Sequence, residues 1–98
     1  LEIGNDCLLA QNITVTPYSH IFTDPEEKIA LQGGNTRKVT LGDDCYIGMG
    51  VCIMYSADIG KGSVVGAGST VVKPIPPYSV AVGCPARVIK KRNGNKNE

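Results

Sequence analysis

His20 is the only histidine in the chain. It heads a polar, breaker-rich stretch that holds Asp24, Pro25, Glu26, Glu27, Lys28, Gly33, Gly34, Asn35 and Arg37. A neutral imidazole can take a proton from an alcohol while the oxygen attacks a carbonyl, a contribution of about 10²–10⁴ in rate. Asp24 and Glu27 lie close enough in sequence to orient such a ring through its second nitrogen; as plain surface acids of a loop they need no such role. Cys7, Cys45, Cys52 and Cys84 offer a nucleophile of another kind. None forms a C-x-x-C pair, and none has a second histidine or a basic cluster beside it to generate thiolate. One histidine also leaves too few soft ligands for a zinc cluster, so no metal is expected. The cysteines are expected as small buried side chains in a reducing compartment. Five of the ten Lys and Arg fall in the last twelve residues. They read either as a patch facing phosphate or as a solvated tail.

A period of six must position these residues. Ile3, Leu9, Val15 and Ile21 are spaced by six, and the register resumes at Leu41, Ile47, Ile53, Ile59, Val65 and Val71. Four residues after each aliphatic lies another small or apolar residue: Cys7, Ile13, Ser19, Cys45, Val51, Ala57, Ser63 and Ser69. These two positions are two apart in the next hexad, so on a strand they point to the same side. Each hexad therefore predicts a short strand with two inward side chains, then a tight turn. Gly4, Gly42, Gly48, Gly60 and Gly66 directly follow the aliphatic, where a turn needs positive φ or a close backbone approach. Three such strands close a coil of eighteen residues, and stacked coils make a parallel solenoid. Twenty residues separate Ile21 from Leu41, which is not a multiple of six. Residues 23–38 are therefore expected to leave the stack as an inserted loop, the kind of excursion that carries binding groups. Pro74, Pro76 and Pro77 remove ladder donors, so regular coils should end near Val72. Residues 77–98 are then a C-terminal non-repeat segment, with 86–92 lying back along the outside.

Ninety-eight residues allow one domain. Ten basic against nine acidic residues argue against nucleic-acid or membrane-surface binding through bulk charge. No apolar run reaches the roughly 20 residues that span a bilayer, and no basic-then-apolar leader is present, so a cytoplasmic protein is expected. With no Trp, one Phe and four Tyr, the core must be aliphatic. The chain starts at Leu1 and is in pattern by Ile3, which suggests a fragment that lacks its N-terminal part.

The hexads resemble the left-handed β-helix of the hexapeptide-repeat acyltransferases, and the resemblance extends from Ile3 to about Arg92. Its most specific stretch is residues 59–89, IGKGSVVGAGSTVVKPIPPYSVAVGCPARVI. Ser19-His20-Ile21-Phe22-Thr23-Asp24-Pro25, then Gln32-Gly33-Gly34 and Ile47-Gly48, look most like O-acetyltransferases of sugars and surface polysaccharides, among them the galactoside, maltose, colanic-acid and capsule acetyltransferases. The left hand comes from this resemblance alone, since parallel crossovers are ordinarily right-handed.

The resemblance implies direct acetyl transfer from acetyl-CoA to a hydroxyl, with His20 as the catalytic base. It places Gly48, Met49, Gly66, Ala67 and Gly68 along the pantetheine arm, and Lys73, Arg87 and Lys90 near the phosphates and adenine. Val72 stands where galactoside-type enzymes carry Thr, so one coenzyme hydrogen bond is expected to be missing. Tyr46 replaces a common Trp beside the acceptor groove, and Asp24 is the other candidate on the acceptor side. The family assembles as trimers with sites between subunits, so a homotrimer is expected. Three other readings share the scaffold. A γ-type carbonic anhydrase needs three His on zinc and is excluded for this chain. An amino-sugar N-acetyltransferase or serine acetyltransferase would differ in acceptor, and a non-catalytic β-helix subunit would have no use for His20 and its loop.

Overall fold

The computed structural model describes residues 1–92. It is nearly all β, with one four-residue helix. Strands β1 (Glu2–Ile3), β2 (Leu8–Leu9) and β3 (Thr14–Val15) follow one another at six-residue intervals and start three separate ladders. On the second level β6 (Thr40–Leu41) lies parallel to β1, β7 (Tyr46–Ile47) to β2 and β8 (Cys52–Ile53) to β3. Ile59 then bridges to Leu41, β9 (Val64–Val65) pairs with β7, and β10 (Thr70–Val71) pairs with β8. The chain thus visits three parallel ladders in fixed rotation. Tyr46 sits beside Val64 and Cys52 beside Thr70, each eighteen residues on.

Inward side chains stack level on level into one aliphatic core of Val39, Leu41, Ile47, Val51, Ile53, Ala57, Ile59, Val65 and Val71, all buried. Ser63, Ser69 and Ser79 join it because each hydroxyl has a main-chain partner: Ser63 Oγ donates to Pro76 O (2.8 Å), and Ser69 Oγ accepts from Gly83 N–H (3.0 Å). Ile3 and Leu9, on the first level described, are 40% and 45% exposed.

The turns divide two tasks between two positions. Directly after the aliphatic, the chain passes close to the next level: a Cβ on Gly48 would lie 2.5 Å from Ala67 N. Two residues later φ is positive, at Asp6, Asn12, Asp44, Gly50, Ser56, Gly62, Gly68 and Tyr78. The glycine seen in half the hexads therefore serves close approach. The left-handed position is shared among Gly, Asn, Asp, Ser and one Tyr, the short polar ones being tolerated there by local hydrogen bonding.

Four expectations need correction. The excursion begins at Pro17, not Thr23. β4 (Tyr18–His20) pairs antiparallel with β5 (Gly34–Thr36), and helix α1 (Ile29–Gln32) lies between them in sequence. Ile21 and Ser19 leave the stack, and Leu41 with Val39 takes their places. The coils also continue past Val72: Ile75 bridges to Ile59, and β11 (Ser79–Gly83) pairs parallel with β9 at a spacing of sixteen, Val64 beside Val80. The prolines permit this because the ladder needs the N–H groups of Ile75 (to Asp58 O, 2.9 Å) and Tyr78 (to Lys61 O, 2.8 Å), which they leave free to donate. Pro76 occupies the place from which Gly60, one level earlier, donates onward to Ile75 O. Residues 86–91 form β12 (Ala86–Lys91), an antiparallel partner that covers the edge of β11. Finally, only Cys45 is buried; Cys7 and Cys52 are half-buried and Cys84 is exposed, because only Cys45 faces inward with a level on either side.

Candidate active site

His20 ends β4, where the chain swings out between the third and first ladders, and its side chain is exposed. The hairpin that carries it is closed at its neck: Arg37 N–H donates to Pro17 O (2.9 Å), and Ile21 N–H donates to Gly33 O (3.0 Å). Arg37 also anchors the returning strand to the stack through Asp58, with Nη2 to Oδ2 at 2.7 Å. Asp58 Oδ1 accepts Thr40 N–H at 2.9 Å. Burial alone would raise the Asp58 carboxyl, but the Arg37 guanidinium and the Thr40 N–H outweigh it and hold the group below the usual carboxylate range. The same pair raises Arg37 above its ordinary value.

Beyond the neck, Gln32 laces the loop together. Its Nε2 donates to Asp24 O (3.0 Å) and Glu27 O (2.7 Å), and its Oε1 accepts Asp24 N–H (3.3 Å). Asp24 Oδ1 accepts Glu26 N–H at 2.9 Å. The Asp24 carboxylate is thus spent on its own turn, and among the described residues neither Asp24 nor Glu27 hydrogen-bonds the imidazole. The neighbour of His20 is Tyr18, whose ring meets it edge to face with centroids 4.7 Å apart. Sequence reasoning passed over Tyr18; its position two residues before His20, in an extended stretch, was the available signal.

The glycine-rich residues form a second cluster. Gly48, Met49, Gly66, Ala67 and Gly68 occupy the turns from the second ladder to the third on adjacent levels. Gly68 N–H donates to Met49 O (2.8 Å), and Gly66 lies against Val82, where an added Cβ would meet Cγ1 at 2.7 Å. Val82 is the register partner of Arg87, which brings that cation to the C-terminal end of the same strip. At Gly50 and Gly68 an added Cβ would meet nothing within 4 Å, so main chain on two successive levels faces open space. The N–H groups of Gly48, Gly50, Gly66 and Gly68 are spent within the stack, on the carbonyls of Val65, Gln11, Ala81 and Met49. What the strip offers a ligand is the outward main chain around Gly50 and Gly68 with a cation at one end, a setting suited to an extended arm that ends in phosphate. Lys90 pairs instead with Val80, farther along β11, and Lys73 follows β10 on the turn toward the first ladder. Neither joins the strip in one chain. Tyr46 is exposed on the outer side of the second ladder, between Leu8 and Val64. His20 and the glycine strip thus flank opposite edges of the third ladder.

The buried Cys45 thiol is pushed up by loss of solvation and donates to Gly60 O at 3.3 Å, which unfits it as a nucleophile. Among the described residues no three of His, Cys, Asp and Glu converge on a point. No helix among them is long and apolar enough to cross a membrane.

Residues 38–73 match the family described as bacterial transferase hexapeptide (six repeats). A galactoside O-acetyltransferase of Escherichia coli K12 is 39% identical over 95 residues, which cover 95% of this chain and 45% of that protein. A serine acetyltransferase of Bacillus pumilus is 36% identical over 94 residues, covering 96% of this chain and 40% of that one. A solved galactoside acetyltransferase in complex with coenzyme A superposes with a TM-score of 0.82 at 39% identity, over 93% of this chain and 44% of that chain. The chain spans less than half the length of these relatives. With its repeat matched and its relatives aligned along nearly all of it, the chain belongs to the hexapeptide-repeat acetyltransferases.

Proposed function

We propose that this chain is the coenzyme-binding and catalytic part of an acetyl-CoA-dependent O-acetyltransferase acting on a sugar or polysaccharide hydroxyl. The observation that carries the reading is the pairing of an exposed imidazole on a braced hairpin with the outward main chain at Gly50 and Gly68 across the third ladder. Gly48, Met49, Gly66, Ala67 and Gly68 hold the pantetheine arm, and Arg87 meets phosphate. Lys73 from its turn and Lys90 from β12 reach the nucleotide end, while Tyr46 and Asp24 face the acceptor side. His20 takes the hydroxyl proton as the oxygen bonds to the thioester carbonyl carbon; the carbon–sulfur bond then breaks, and the proton passes to the departing thiolate. Direct transfer of this kind needs no acyl-cysteine and no metal.

Within one chain the two clusters lie on different turns, and a homotrimer of left-handed β-helices closes the gap by setting the hairpin of one copy beside the glycine strip of the next. Such contacts would also cover the exposed Phe22, Ile29 and Leu31 of the excursion. A cytoplasmic setting accords with four free thiols.

The test is release of free thiol from acetyl-CoA by the full chain across hydroxyl and amino acceptors. His20→Ala should bind coenzyme normally yet lose about 10²–10⁴ in turnover with hydroxyl acceptors. Wild-type turnover in that variant overturns the proposal, and activity confined to amines overturns the choice of acceptor.

A further inference from the structure

His20 ends a strand that is exposed on one side, and among the described residues no hydrogen bond holds its ring. The ring does meet Tyr18, with planes 70° apart and centroids separated by 4.7 Å. Residues i and i+2 of a strand share a face, so β4 itself sets the two rings side by side. β5 supplies the room. In the antiparallel register His20 faces Gly34 and Tyr18 faces Thr36. A side chain on Gly34 would collide with the Tyr18 ring carbon Cζ and its hydroxyl, and would come within 2.5 Å of Ser19 O. The bare main chain at Gly34 is therefore the seat on which the tyrosine ring lies across the hairpin toward the imidazole. The phenol oxygen makes no hydrogen bond among the described residues, so the contact rests on the ring and not on the hydroxyl.

We propose that Tyr18, seated on Gly34, is the positioning residue of His20: its ring limits the imidazole to one orientation in an otherwise open setting. This rests on the reading of His20 as the general base. An edge-to-face contact favours one geometry through the quadrupole of the aromatic ring, an effect that corresponds to about three- to tenfold in the population of the aligned ring. A general base must be aligned at the moment of proton transfer, so the loss falls on kcat and not on coenzyme binding.

The experiment compares Tyr18→Phe, Tyr18→Leu and Gly34→Ala in the full chain, with steady-state kinetics and the ring-proton resonances of the one histidine. Tyr18→Leu and Gly34→Ala should lower kcat about three- to tenfold with the KM for acetyl-CoA unchanged, while Tyr18→Phe stays within about twofold of wild type. The His20 resonances should shift in the first two variants and hold their place in Tyr18→Phe, which has kept the ring. Unchanged resonances in Tyr18→Leu overturn the proposal, as does a Tyr18→Phe variant as slow as Tyr18→Leu, since that would assign the effect to the hydroxyl. A His20→Ala enzyme at full turnover would defeat the base reading instead, and it is told apart because the resonances are read without turnover.

Discussion

Ile53 and Ile3 occupy equivalent inward positions in the repeat, yet their replacement by Ala should differ about threefold in cost. Ile53 is 1% exposed and stacks between Val15 below and Val71 above. Ile53→Ala removes three carbons from that column, about 0.8 kcal/mol each by transfer. The cavity left between two fixed levels adds to this, for a total of about 3–4 kcal/mol. Among the described residues, Ile3 is 40% exposed and packs against one level, at Leu41. Part of its transfer energy is never gained and no closed cavity forms, so Ile3→Ala should cost about 1 kcal/mol. Urea unfolding at one protein concentration reads both; with a slope near 1 kcal/mol/M the midpoint should fall by about 3 M for Ile53→Ala and about 1 M for Ile3→Ala. Equal shifts would refute the claim that stability is assembled level by level through the central column.

The left-handed turn position should accept what neighbouring turns already use: Gly50→Asn should cost a few tenths of a kcal/mol and Gly50→Val about 2, as read from urea midpoints. Gly48→Ala, whose Cβ has main chain 2.5 Å away, should cost about 2–3 kcal/mol despite normal φ. Asp58→Asn removes a carboxylate whose folded value lies below the ordinary one, so its contribution is present above about pH 4 and is lost as pH falls through the folded value. The midpoint gap from wild type should accordingly be full at pH 7 and close in acid. Labelling with a thiol reagent should modify the exposed Cys84 first and the buried Cys45 only as fast as the chain opens.

The inward columns were legible because a parallel stack repeats one environment every six residues, and Ile47, Ile53, Ile59, Val65 and Val71 answer it with one side-chain type. The exit point was not legible. Ile21 keeps the spacing by type, and only the return of Arg37 to Pro17 O shows that the chain has already left. The prolines misled for a related reason: which N–H a ladder uses depends on whether another level follows, and spacing does not show that. His20 stands out in the sequence because it is the only histidine and heads the polar stretch. Its aromatic neighbour was missed because an edge-to-face contact depends on what faces it across the hairpin, here a glycine fourteen residues away in sequence.

The excursion itself can be removed on paper without disturbing the repeat. Leu8 pairs with Tyr46 thirty-eight residues on, where the next level uses eighteen, and the surplus is twenty residues. Deleting residues 18–37 joins Pro17 to Lys38 and puts Leu41 six residues after Val15, with Val39 already buried at the inward position between them. Lys38 then falls on the left-handed turn position that Ser56 fills one level up, so Lys38→Asn should accompany the deletion. Losing the loop relieves a closure cost of about 2–3 kcal/mol, while losing Arg37 removes only a solvent-screened anchor to Asp58. The shortened chain should unfold cooperatively in urea with a midpoint no lower than that of the parent. Having lost Tyr18, His20 and Gly34, it should release no thiol from acetyl-CoA above background while still binding coenzyme at the glycine strip. A deletion variant that fails to fold would mean that the hairpin is part of the stack's structure and not a graft upon it, and the separation of scaffold from chemistry would fall with it.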